Sequence, residues 1–223
     1  AMIVSHGDII KAIIADARVV KAKLDRGADH TGVSIEHLLF QGPPGTGKTT
    51  VARLIARLYR ALGLLPKDEI VEVSRQSLVS GYRGQMALQT AKKIDEALGG
   101  VLFIDEAYTL VAGDDEDPGR EAISTLLPRL ENDAGKFLAI AAGYPDDMAA
   151  FVAANVGLRS RFTTTIDFEP YTADELVLIG VSMAAGRGEK LTDAARAVLH
   201  DRLHRAQRSG AFEAKDWGNA RSV

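Results

Sequence analysis

Cysteine is absent from this chain. That removes disulfides and every cysteine-ligated metal site, and it suits a reducing cytoplasm. Aromatic residues are scarce at 6%, with a single tryptophan, Trp217. No apolar run approaches the roughly 20 residues a membrane-spanning helix needs, and the opening residues carry no secretory pattern. Nor is there an excess of positive charge. The 27 Lys and Arg face 30 Asp and Glu, giving a net charge of −3 and a pI near 6.0. That balance lends no support to a nucleic-acid or acidic-membrane partner, although a local basic patch stays compatible with it. Internal repeats and low-complexity tracts are missing too. What is present is 46% apolar and 26% charged over 223 residues, the make-up of a globular protein with one large domain or a large and a small one.

One stretch organises the rest. Gly42-Pro43-Pro44-Gly45-Thr46-Gly47-Lys48-Thr49 fits G-x-x-x-x-G-K-[ST]. Apolar Leu38, Leu39 and Phe40 precede it, and a helical pattern (Val51, Leu54, Ile55, Leu58, Leu62) follows, with Gly63 as its stop. Glycines are needed because the backbone must curl round an anion with its N–H groups pointing inward. Lys48 would reach the β- and γ-phosphates of a nucleoside triphosphate, and the Thr49 hydroxyl would ligate Mg²⁺. Thr50 continues the helix, whose positive dipole end faces the phosphates.

Around this loop the chain alternates between the two element types. Helical spacing covers about Met2–Leu24, and Asp25–Ser34 reads as a loop. Strands are expected at Ile35–Phe40, Ile70–Val73, Val101–Ile104, Phe137–Ala142 and Thr163–Phe168. Helices are expected at Ala87–Leu98 and Ala122–Asn132, the latter with a kink at Pro128. Alternation of this kind predicts a parallel, doubly wound sheet. From Pro170 only helices remain, at Ala173–Ala184, Thr192–Gln207 and from Asn219. The boundary is therefore placed at Pro170, giving a large α/β domain (1–169) and a small helical one (170–223) in which Trp217 is a core anchor. Ala1 ahead of Met2 reads as an added residue. A chain stopping at Val223, where a helix begins, reads as a lid cut short.

The run Val101-Leu102-Phe103-Ile104 ends in Asp105-Glu106. An acid pair closing an apolar strand beside a phosphate loop divides its tasks. Asp105 would hold Mg²⁺ through its water shell, and Glu106 would polarise the attacking water as general base. Transfer of phosphate to a hydroxyl does not require the second acid, so the pair points to hydrolysis.

GPPGTGKT, the apolar strand ending DEA, and GLRSRF together resemble an AAA+ ATPase. SLVSGYRGQ, KIDEALGGVLFIDEAYTL, LENDAGKFLAIAAGY, NVGLRSRF and WGNAR narrow the resemblance. They are similar to the family holding the red-type Rubisco activase CbbX and the type VII secretion ATPase EccA, and GLRSRF and LENDAG lean towards EccA. The resemblance spans about Ser34–Val223. It implies a P-loop AAA+ module with a C-terminal helical lid, working as a cytoplasmic homo-oligomeric ring, most often a hexamer, that remodels or translocates a protein client. It also implies roles for particular residues. Arg161, with Arg159 as a second candidate, would be the arginine finger lent to the neighbouring subunit's ATP. Arg221 would be a lid sensor of the phosphates, and Tyr82, between Gly81 and Gly84, a pore-loop aromatic. Asp114–Asp117 is either a second pore loop or a solvated acidic run, the second reading being preferred. The family's polar first sensor is not matched, because Ile140-Ala141-Ala142-Gly143-Tyr144 offers Tyr144 or nothing. A nucleotide-dependent scaffold that hardly hydrolyses, and a DNA-acting clamp- or helicase-loader relative, are the competing functions. His200-Asp201-Arg202-Leu203-His204 echoes H-E-x-x-H, but it lacks the glutamate and a third ligand, so it is not read as a zinc site.

Overall fold

The computed structural model describes residues 7–26, 35–79, 86–114, 117–213 and 217–221. Its centre is a five-stranded, all-parallel sheet built from β1 (Leu38–Gln41), β2 (Ile70–Val73), β3 (Val101–Ile104), β4 (Leu138–Gly143) and β5 (Thr164–Asp167), in the order β2-β3-β4-β1-β5. Helix α1 (Gly7–Asp25) precedes the sheet; the parallel strands need crossovers, and the helices between them supply these: α2 (Lys48–Ala61), α3 (Arg75–Leu78), α4 (Met86–Ala97), α5 (Pro118–Asn132), α6 (Pro145–Ala153) and α7 (Val156–Arg161).

Strand residues alternate between two cores. Leu38, Phe40, Val101, Phe103, Leu138, Ile140 and Ala142 pack with Ile13 and Ala17 of α1 and with Val51, Ala52, Ile55, Ala56 and Tyr59 of α2. Leu39, Leu102, Ile104, Ala139 and Ala141 turn the other way, towards Ile94, Ile123, Leu126, Leu130, Met148 and Phe151. Both faces are covered, which is why β3 and β4 read as unbroken apolar runs rather than alternating ones. In α2 the buried positions recur at helical spacing, and its end is closed by Gly63 at φ 71°. Leu64 N donates to Tyr59 O at 2.8 Å and Gly63 N to Arg60 O at 2.9 Å, a Schellman pair.

Several boundaries differ from the sequence reading. Ile35–His37 precede the first strand rather than forming part of it. Helix α5 begins at Pro118, directly after the acidic run Asp114–Asp117 and four residues before the expected start at Ala122. Pro118 occupies the first turn, where no N–H is required, and the Asp117 carboxylate caps it by accepting from Gly119 N at 2.7 Å. Asp117 is thus a cap and, through Arg75 at 2.9 Å, an ion-pair partner; Asp115 and Glu116 lie outside the described residues. Helix α3 and the 3-10 turn Ala107–Leu110 have no counterpart in the sequence reading.

The chain then turns to helices, as expected: α8 (Ala173–Gly186), α9 (Asp193–Arg208) and short 3-10 turns at Ala211–Glu213 and Asn219–Arg221. A capping box starts α8, in which Thr172 Oγ1 accepts from Glu175 N while Thr172 N donates to the Glu175 carboxylate. The two helices pack on a third core of Tyr171, Ala173, Leu176, Val177, Ile179, Leu203 and Ala220, with Trp217 packed against it and stacked on Phe212 at 4.4 Å. Among the described residues no helix is long and apolar enough to cross a membrane.

Candidate functional site

In a parallel sheet every strand ends on the same edge, and a cleft forms there where the strand order reverses. Here β1 leads into the phosphate-loop sequence, β3 into Asp105 and Glu106, and β4 into Gly143 and Tyr144. One pocket is lined by Gly42, Pro44, Gly45, Gly47, Lys48, Thr49 and Thr50 from the loop and the start of α2. Asp105, Glu106, Gly143 and Tyr144 line it from the strand ends, and Met183, Ala220 and Arg221 from the helical segment. Pro43 and Thr46 complete the loop's own scaffold, in which Thr46 Oγ1 donates to Pro43 O at 2.9 Å.

The loop's glycines answer to packing. Gly42 has φ 155°, and a Cβ there would sit 2.2 Å from Phe168 O. Gly45 has φ 71°, and a Cβ would sit 1.9 Å from Gly218 O. Each is excluded twice, by backbone conformation and by a neighbouring main chain. Lys48 Nζ donates to Gly42 O at 2.6 Å and Pro43 O at 2.7 Å. Burial pushes its pKa down to about 8, Asp105 and Glu106 pull it up, and Arg221 opposes them. The two cations and two carboxylates therefore share one electrostatic neighbourhood.

Glu106 sits at φ 49°, ψ 44°, a left-handed conformation that a non-glycine residue adopts at a cost of about 1–2 kcal/mol. Three hydrogen bonds hold it there. Its N–H donates to Asp105 Oδ1 at 3.1 Å, and its carbonyl accepts from Thr109 N at 2.9 Å and Thr109 Oγ1 at 2.7 Å. The kink turns the Glu106 side chain outward to an exposed position on the cleft wall, while Asp105 is half-buried. This pair, with the Thr49 hydroxyl, can hold a hydrated divalent cation and polarise a water beside it. Gly143 cannot carry a polar group, because its Cβ would meet Met148 Sδ at 2.6 Å and Tyr108 Cδ1 at 2.8 Å. Tyr144 is therefore the first side chain past β4 in the cleft.

From the other side the helical segment clasps the loop. Asn219, buried and at φ 47°, donates from Nδ2 to Pro44 O at 3.1 Å and accepts at Oδ1 from Tyr171 N at 3.0 Å. Ala220 N donates to Gly45 O at 3.3 Å, and Tyr171 Oη donates to Thr46 O at 2.9 Å. These contacts bring Arg221 to the cleft.

Residues 38–170 match the model of the ATPase family associated with various cellular activities, and residues 172–223 match that of the AAA lid domain. The chain belongs to the AAA ATPase family. Among curated proteins this AAA ATPase is 44% identical over 204 residues to the ESX-1 secretion system protein EccA1 of Mycolicibacterium smegmatis, a match covering 90% of this chain and 35% of that one. It is 50% identical over 160 residues to EccA1 of Mycobacterium tuberculosis, covering 70% and 28%. It is 51% identical over 170 residues to the ESX-3 secretion system protein EccA3 of M. smegmatis, covering 76% and 27%. The chain thus spans about a quarter to a third of the length of these curated relatives, and the expected lean towards EccA agrees with their names.

The AAA ATPase does not place every candidate residue at its own cleft. Arg159 is exposed on α7, and Arg161, at the end of that helix, pairs with Glu131 of α5 and donates to Ser160 Oγ at 2.5 Å. Neither lines the pocket. Tyr82, with Gly81 and Gly84, lies outside the described residues. Asn219 and Tyr171 have no counterpart in the motif reading, although Asn219 sits inside the GNAR phrase. An asparagine two residues before a candidate sensor arginine, being a residue type that tolerates left-handed backbone, was the signal available.

Proposed function

We propose that this AAA ATPase hydrolyses Mg·ATP and that its turnover depends on a neighbouring copy of itself. The observation that carries this reading is a division of charged groups. Lys48, Asp105, Glu106 and Arg221 converge on one cleft, whereas Arg161 stands away from it on α7. Within the cleft Gly42–Thr49 cradle the phosphates, Thr49 and Asp105 hold the cation, Glu106 activates water and Arg221 senses the phosphates from the lid. Arg161, with Arg159 beside it, serves the next subunit's ATP in a ring, as a hexamer. A guanidinium so placed offsets charge on the transferring phosphoryl group, an effect of roughly three to five powers of ten in comparable systems.

The proposed division of the chain falls at Pro170, so that the lid turns against the large domain as nucleotide is consumed. The output is mechanical. Tyr82 grips an extended protein client, and the work takes place in the cytoplasm, on a secretion substrate by analogy with the relatives' names. The acidic balance of the chain favours a protein client over DNA.

Glu106→Gln tests the reading at its chemical centre. The variant keeps ATP affinity but loses turnover by about a hundredfold or more, measured as phosphate release alongside equilibrium nucleotide binding. Turnover equal to that of the unmodified protein would leave a nucleotide-dependent scaffold as the better description.

A further inference from the structure

The lid carries a second cluster of chemistry-bearing side chains, remote from the glycine-rich loop in sequence and outside the pocket that loop lines. His200 and His204 lie four residues apart on α9, so their rings rise from the same face of the helix. Asp174, in the first turn of α8, comes up against both. Its Oδ1 lies 2.9 Å from His204 Nε2 and 3.4 Å from His200 Nε2, and the two imidazole rings are 4.1 Å apart between centroids. One ligand atom from each of the three residues lies within 4.8 Å of the other two. Asp174 and His200 are exposed and His204 is half-buried, so the site is open to solvent on one side. The histidine pair alone offers two ligands and no acidic base; the third comes from another helix, and only the fold reveals it.

We propose that Asp174, His200 and His204 form a zinc site that clips the start of α8 to the middle of α9. Distance and donor type both argue for it. Four ligands placed about 2.0–2.1 Å from a tetrahedral ion stand roughly 3.3 Å from one another, and the two nitrogen–oxygen separations here bracket that edge. The fourth position faces solvent and takes a water. Two imidazole nitrogens with one carboxylate oxygen suit zinc and its first-row neighbours, whereas magnesium, the ion expected at the phosphate loop, prefers an all-oxygen octahedron. The protons balance as well. A neutral imidazole that donates from Nε2 to Asp174 keeps its ring hydrogen by carrying it on Nδ1 once Nε2 binds the metal.

The charges nearby are mixed. Asp201 is paired with Arg205, and Asp193 and Arg196 line the adjoining groove together with Asp174 and His200. The core beneath is apolar (Leu176, Ile179, Leu203) and holds the helices in register whether or not a metal is bound. The clip therefore adds to a lid that is already formed. What it contributes is stiffness between α8 and α9, a property distinct from nucleotide chemistry.

The experiment is zinc titration of the whole chain in excess magnesium, followed by calorimetry and thermal unfolding. One zinc binds per chain. At about a hundredfold excess over Kd the unfolding midpoint rises by roughly 5–10 °C, and magnesium alone produces no such rise. Asp174→Asn, His200→Ala and His204→Ala each weaken zinc binding by more than about tenfold, the least that even an outer partner of a metal contributes. The residues are largely exposed, so each variant unfolds cooperatively without zinc, and this is checked first. Cobalt(II) supplies an independent reading on the unmodified protein, through visible bands characteristic of a low-coordinate nitrogen–oxygen site. Zinc binding of equal strength in the histidine variants would place the ion elsewhere, for instance at Asp105 and Glu106, and would overturn the proposal. A midpoint that zinc leaves unmoved would overturn it equally.

Discussion

His37 makes stability fall on mild acidification, by an amount the structure allows to be worked out. The ring is buried between Phe137 and Phe162, with centroids at 5.7 and 6.0 Å. Ala139 N donates to Nδ1 at 3.1 Å, so Nδ1 is the acceptor nitrogen and the ring proton sits on Nε2, which faces Leu130 O at 3.4 Å. A second proton would have to displace the Ala139 contact in an apolar surround. Burial accordingly lowers the pKa from 6.5 to about 4, and the Arg161 charge pushes the same way against the Leu130 bond. A histidine with a depressed folded pKa binds its proton more readily in the unfolded chain. Its contribution is complete above about pH 6.5 and is lost as pH falls towards 4, with a slope of up to about 1.4 kcal/mol per unit. The whole window of 6.5 to about 4 amounts to roughly 3 kcal/mol, a large fraction of the net stability of an ordinary domain. Asp68, Asp117 and Asp133, whose carboxyls are held low by Arg60, Arg75 and Lys136, act at more acid pH, below their unfolded value of 3.8. Urea unfolding midpoints from pH 7.5 down to 4.5 measure the effect. His37→Asn, which keeps an acceptor for Ala139 N but does not titrate there, removes most of the slope whatever it does to absolute stability. A flat profile in the unmodified protein, or an identical fall in His37→Asn, would refute the reasoning.

Two further expectations concern the cleft and its surroundings. Arg161→Ala keeps its own affinity for ATP. Mixed with unmodified protein, it depresses ATPase activity below simple dilution, as read by phosphate release across mixing ratios; strict proportionality would rule out a role in trans. Asn219→Ala strands the Tyr171 amide and the Pro44 carbonyl and puts alanine at a positive φ, for a loss of about 3 kcal/mol and a fall of roughly 6–12 °C in the unfolding midpoint. Asn219→Gly relieves the backbone part and falls less. Equal midpoints for Asn219→Gly and the unmodified protein would mean that the two side-chain bonds contribute nothing.

The parallel sheet was legible because the strands buried on both faces leave a continuous apolar signature, and Val101–Ile104 and Leu138–Ala142 carry it. The phosphate loop was legible because its chemistry restricts residue types at fixed spacing. Local rules also gave Gly63 as the end of α2. They did not give the start of α5, where Pro118-Gly119 looks like loop until the Asp117 cap is seen. What the sequence hid was chiefly long-range. The 93-residue separation between His37 and Leu130 and the 175-residue separation between Asn219 and Pro44 leave no local trace. His200 and His204 could be paired from helical spacing, but Asp174 joins them only because α8 folds back on α9.

The grip of Asn219, Ala220 and Tyr171 on Pro44, Gly45 and Thr46 has a mechanical corollary. Three points of attachment on three successive residues tie the lid directly to the glycine-rich loop ahead of α2. A lid held at these three carbonyls cannot shift at its base without displacing the main chain of Pro44, Gly45 and Thr46 or breaking the bonds to it.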